Sequence, residues 1–249
     1  MTNNLPRFRE NPFVPLGLLL GGALVIVGII GSWTAISIKN ANDTLTVTGS
    51  ATENVSADSA RWTLTANRSA FAAGVPGATE QVLADAKKIA RFFTAAGIPA
   101  TDITVGAVHA NQDYSKYSND PNAPTSYIVS QDVTVTSNDP KLIQRLSQDT
   151  SSLTNQGVML TSQDPQYLLS DLPQYRISLA GAAMQDAKAR ATQLVKDSGQ
   201  SVGRLRSAST AAVQVMAKDS LNVSDYGTYD TSTIDKTVMV TVRATFAVN

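Results

Sequence analysis

The sequence has no cysteine and a single histidine, His109, and only 6% of it is aromatic. Without cysteine, disulfides, thiolate catalysis and cysteine metal sites are excluded together. With one histidine there is no multi-histidine zinc site, and a Ser-His-Asp arrangement would rest on one imidazole with no orienting partner evident in the sequence. The serines include no GxSxG elbow, and no GxxxxGK[ST] or GxGxxG phosphate loop occurs. Excess charge is missing as well. The chain balances 20 basic against 20 acidic residues, which leaves no electrostatic footprint for nucleic acid or an anionic membrane surface. His109 therefore reads as a strand residue at a sheet margin. No catalytic residue, cofactor or metal is expected.

Charge is absent most conspicuously from Val14 to Ile36, VPLGLLLGGALVIVGIIGSWTAI. As a helix at about 1.5 Å per residue this run extends about 34 Å, enough for a hydrocarbon core of about 30 Å. It predicts a membrane span. Arg7 and Arg9 precede it and only Lys39 follows closely, which orients the N-terminus inside. A cleaved secretory signal is the alternative. Such signals have shorter apolar regions ending in a small-x-small site, whereas Trp33, Ile36 and Ile38 occupy that place here. The expected layout is a cytoplasmic N-terminus at 1–13, an anchor at 14–38 and an exported domain at 39–249. This makes a single-pass inner-membrane protein with its domain in the periplasm. Gly17, Gly21 and Gly28 share one side of the predicted helix, and Gly17 and Gly21 form a GxxxG pair, so they are candidates for contact between membrane helices.

Beyond the anchor, without Arg7, Arg9 and Glu10, 18 basic and 19 acidic residues remain. Leu45, Val47 and Gly49 alternate with Thr44, Thr46 and Thr48, and Trp62, Leu64 and Ala66 alternate with Arg61, Thr63 and Thr65. These are two strands bent or joined near Ser56 to Ser59. From Ala78 to Ala96 the period becomes helical, with Val82, Ala86, Ile89 and Phe93 on one face and Gly97 and Pro99 as stops. Ile103, Val105 and Ala107 start a strand, and Tyr127, Val129, Gln131, Val133 and Val135 form the next. The polar stretch Asn111 to Ser126 between them reads as a long hairpin loop. Asp139 followed by Pro140 is a cap and first-turn proline for a second helix ending near Gly157, with a short strand at Val158 and Leu160. A long third helix follows Pro173. Its predicted apolar stripe is Ile177, Gly181, Met184, Ala187, Ala191, Leu194 and Val195. Val213 with Val215, and the segment from Val238, supply the last strands.

The fold class expected is α+β, a mainly antiparallel sheet with helices packed on one side, preceded by one transmembrane helix. Arg61 to Leu160 follows a β-α-β-β-α-β order.

Two loop constellations carry chemistry. Asp113, Asn119, Asp120 and Asn122 offer oxygen atoms, but their spacing fits no EF-hand loop and they read as turn residues. Asp225, Tyr226, Tyr229 and Asp230, in SDYGTYDTS, are candidate interaction residues, because tyrosine supplies contact area at low entropic cost. The alternative is a loop whose tyrosines pack on their own domain.

Four blocks carry a resemblance: LTVTGSATENVSADSARWTLTANRSA from Leu45, AGIPATDITVGAV from Ala96, DAKARATQLVKDSGQSVGRL from Asp186 and VSDYGTYDTSTIDKTVMVTVRATF from Val223. In this order they resemble the SIMPL domain family of bacterial envelope proteins, and the last block resembles that of a membrane-anchored subgroup. Ala57 departs from the proline many relatives carry there. The resemblance implies export, homo-oligomers in some members and a link to envelope and oxidative stress, and it supplies no established catalytic residues. The function expected is a membrane-tethered, non-enzymatic protein that self-assembles and scaffolds or protects, its protein partner unspecified. The alternative is an exported hydrolase or small-ligand-binding protein with a loop-built site.

Overall fold

The computed structural model describes residues 20–32, 43–114, 124–220 and 226–249. Residues 20–32 form a helix (α1) whose apolar side chains are all exposed. At 1.5 Å per residue it extends about 20 Å. Among the described residues no helix is long and apolar enough to cross a membrane. The rest of the apolar run, Gly17 included, lies outside the described residues. At Gly21 and Gly28 a side chain would meet nothing within 4 Å.

The remaining elements are β1 (Thr44–Ser56), β2 (Ser59–Phe71), α2 (Val75–Ala95), β3 (Ile103–Gln112), β4 (Ser126–Ser137), α3 (Pro140–Gln148), α4 (Ser151–Asn155), β5 (Leu160–Ser162), β6 (Gln166–Leu168), α5 (Leu172–Lys196), β7 (Val202–Thr210), β8 (Gln214–Ala217) and β9 (Asp235–Val248). The protein is thus α+β, with two antiparallel sheets where one was expected. Its described residues divide into two compact units, those within 50–186 and 210–242, and those within 1–49, 187–209 and 243–249.

In the larger unit the strand order is β3-β4-β2-β5, with β6 also on β2. Because β4 lies between β2 and β3, the β-α-β-β-α-β order closes as a split βαβ arrangement. Strand alternation sends one parity inward. Trp62 lies opposite Val135 and Leu64 opposite Val133, and all four are at most 1% exposed. Helix α2 lays Val82, Ala86, Ile89 and Phe93 on them, one every three or four residues. The Trp62 and Phe93 rings meet edge to face at 5.5 Å, a preferred aromatic geometry. On the other parity, Thr63 and Thr134 share a hydroxyl hydrogen bond of 2.9 Å, and Thr65 donates to Asp132 at 2.7 Å. The two faces of β2 therefore differ as its sequence predicts.

Asp139 caps α3, its carboxylate accepting from the Leu142 N–H at 3.0 Å, with Pro140 in the first turn. The expected continuous helix to Gly157 is instead two. Asp149 stops α3, and its Oδ1 accepts the Ser151 N–H at 2.9 Å to start α4. Gly157 then turns the chain at a φ of 76°, where an L-residue would be strained.

A second cluster in this unit joins Leu179, Val215, Val238 and Val240 to Leu169. Strand β8 pairs with β9 from Gln214↔Met239 to Ala217↔Lys236. In the smaller unit Val47, Ala244, Phe246 and Ala247 are buried. Strand β7 adjoins β9 there, and the N–H and carbonyl groups of Ser201 and Asn249 bond reciprocally at 2.9 and 3.0 Å.

The buried line along α5 is Leu179, Ala183, Ala187, Ala191 and Val195. Ala187, Ala191 and Val195 were expected, but Ile177 and Leu194 are 71% and 65% exposed. The true stripe recurs every four residues through small side chains. A reading weighted by hydrophobicity moves it toward the larger residues beside it.

Candidate functional site

The segment 226–230 is held by its backbone. The Val215 N–H donates to the Thr228 carbonyl, and the Asp230 N–H donates to the Val215 carbonyl, both at 2.8 Å. Thr228 adds a side-chain bond, its hydroxyl donating to Gln214 Oε1 at 2.8 Å. Gly227, at a φ of 86°, allows the close approach: a Cβ there would stand 3.1 Å from both the Ala212 Cβ and the Val213 carbonyl oxygen. The left-handed conformation favours glycine, and the tight space leaves little room for a side chain.

The four candidate residues in this segment separate. Tyr229 is 40% exposed, yet its hydroxyl oxygen is fastened to the domain, accepting the Leu169 N–H at 2.8 Å. The Asp230 carboxylate accepts from the Thr233 N–H and hydroxyl at 3.1 and 2.7 Å, the Ser232 hydroxyl at 2.8 Å, and Lys236 Nζ at 3.2 Å. Burial alone would raise its pKa. The hydrogen bonds from Thr233, Ser232 and Lys236 outweigh that and lower it to about 2. Tyr226 is 96% exposed. Asp225 lies outside the described residues.

Tyr226 and Tyr229 help line a cleft of about 500 Å³ in the larger unit. Its apolar lining includes Val213, Val215, Val240, Leu172 and Ala180, and Arg176 from the start of α5 is the one charged side chain among the described lining residues. Sequence reading missed Arg176, since an exposed arginine on a helix has no local signature. It also missed Lys236, which is fully buried and donates to the Asp230 carbonyl at 2.5 Å. Burial lowers the pKa of this amine, and Asp230 opposes the shift. A signal was available: Lys236 shares the parity of Val238, Val240 and Val242, which are all buried.

A third ionic group anchors α2. Asp85, 2% exposed, pairs with Arg68 on β2 and with Lys88 at 3.1 Å. The two cations also donate to the carbonyls of Gly157 and Gln156, at 2.6 and 3.1 Å. This group holds the α4 turn against the helix.

His109 is exposed on β3, opposite Ser130 on β4, and β3 ends its sheet. It is the margin residue that its sequence context indicates. Asp113 is buried just beyond β3 and its N–H donates to the Ser126 carbonyl at 2.8 Å. Asn119, Asp120 and Asn122 lie outside the described residues. Among the described residues no three His, Asp or Glu side chains cluster to hold a metal ion.

These features define an α+β protein whose polar groups chiefly fasten loops and helices to two antiparallel sheets. The chain belongs to the SIMPL family, described as protein of unknown function (DUF541), which matches residues 45–246. No curated protein matches it.

Proposed function

We propose that this chain is a membrane-tethered, non-enzymatic envelope protein that assembles with copies of itself, with a scaffolding or protective role in envelope and oxidative stress. The tether rests on the uncharged run 14–36 and the arginines before it. The stress role rests on the family resemblance.

The observation that carries self-assembly is strand β3. Its ten residues, ITVGAVHANQ, contain no Asp, Glu, Lys or Arg, and eight of them are exposed. Among the described residues only β4 pairs with it, so its other side offers backbone groups as a template for another strand. Long exposed edges are ordinarily protected by charge. Strand β7, by contrast, carries Arg204 and Arg206. A bulge between Val105 and Val108 confines regular pairing to the segments on either side. This favours one defined contact over open-ended stacking, and two-fold closure is the commonest outcome.

The test uses the absence of native cysteine. Ala110→Cys gives the full chain one thiol, in the longer regular segment of β3. Mild oxidation in membranes should then give a covalent dimer, and Ala110→Pro should reduce the mass measured by light scattering. A strictly monomeric protein at high micromolar concentration would remove self-assembly and leave a tethered binding module. The cleft beside Arg176 favours ligand binding as a second activity of the same domain.

A further inference from the structure

We infer that the cleft beside Arg176 is a binding site for a small aromatic carboxylate. Its volume of about 500 Å³ falls in the range of small-molecule sites, about 300 to 1,000 Å³. The pattern of an apolar lining with a few fixed polar groups also fits such sites. Val213, Val215 and Val240 supply apolar surface, and among the described residues Arg176 is the only charged group lining it.

Three observations narrow the ligand. First, no ion pair or hydrogen bond engages the Arg176 guanidinium among the described residues. Its planar donors match a carboxylate through two parallel bonds. No acidic side chain among the lining residues competes for it. Second, Tyr226 lines the cleft yet is 96% exposed, so its ring stands at the rim. There it offers a face for an aromatic body. Third, the wall of the cleft at 228–230 is built before any ligand arrives. The bonds from Val215 and Asp230, the Thr228 to Gln214 bond and the Tyr229 hydroxyl bonded to Leu169 fix residues 228–230. Little ordering cost is left to binding. A dianion such as phosphate would leave one charge unmatched and the apolar lining uncovered.

The site does not depend on the β3 edge, so either proposal can fail alone. The test is calorimetric titration of the full chain in lipid nanodiscs with 2-naphthoate, subtracting empty discs. Saturable binding is expected, with the neutral 2-naphthamide weaker by about tenfold, the scale of a charge-assisted pair. Arg176→Gln should bring the acid down to the amide, and Arg176→Lys should recover part of the difference. Tyr226→Ala should weaken naphthoate but not octanoate. Because Arg176 and Tyr226 are exposed, these variants should keep the wild-type unfolding transition. Equal binding of acid and amide, an unchanged Kd in Arg176→Gln, or no saturation would overturn the site. Octanoate binding as tightly as naphthoate would overturn the aromatic assignment.

Discussion

Lys236, with no exposed surface, directs its amine at a single residue, Asp230, touching both its backbone carbonyl and its carboxylate. A buried ammonium costs free energy unless it is paired and hydrogen-bonded, and removing one partner exposes that cost. The pair also closes the turn from Asp230 to Lys236 that leads into β9.

The first prediction concerns the pH dependence of this pair. Asp230 is lowered to about 2 from the ordinary 3.8, so its stabilisation is complete above about pH 4 and is lost as pH falls through 2. Lys236 is lowered from 10.5. The unfolded chain then holds its proton longer, and this contribution rises toward pH 10.5. Both groups tilt stability upward with pH. Asp230→Asn should cost about 2–3 kcal/mol near neutrality, below the usual range for a fully buried pair because Asp230 keeps 25% of its side chain exposed. It should also flatten the acid limb of the melting-temperature profile. Superimposable profiles for the two proteins would refute the assignment.

The Asp85 group should respond unequally. Asp85→Asn leaves Arg68 and Lys88 facing a neutral amide and should cost about 3 kcal/mol. Lys88 is 33% exposed, so Lys88→Met should cost less than about 1 kcal/mol. Urea unfolding of the two variants measures the difference. Equal losses would mean that Asp85 is not the hub.

His109→Ala should leave stability within about 0.5 kcal/mol, as for ordinary surface positions. Under the non-enzymatic reading it should also leave any cellular phenotype intact. A folded His109→Ala protein without function would point to catalysis instead.

Membrane attachment is tested by fractionation. With the N-terminus inside and no cleavage, intact protein should remain in washed membranes, and protease added outside the inner membrane should digest the domain. A soluble mature form beginning near Lys39 would overturn the anchor.

Much of the larger unit was legible residue by residue. The alternation around Trp62, the stripe from Val82 to Phe93 and the cap at Asp139 are local patterns, set by side-chain direction and backbone hydrogen bonding within a few residues. Strand β7 was not legible. Seven of its nine residues are exposed, so no apolar alternation announces it, and its pairing comes from residues about forty positions away. The same holds for β6, three residues long and recruited by β2.

The sequence alone determined the absence of thiol chemistry, the uncharged run before Lys39, the strand and helix periods and the family membership. Only tertiary structure decided that α5 buries Ala183 and not Ile177, that Tyr229 and Asp230 fasten their loop through hydrogen bonds, and that Arg176 is the charged residue among the described lining of a cleft with Tyr226 at its rim. The division is physical. Periodicity follows from backbone geometry, which each segment carries with it. Burial, pairing and the emptiness around a charge depend on which distant segments arrive, and no local stretch encodes that.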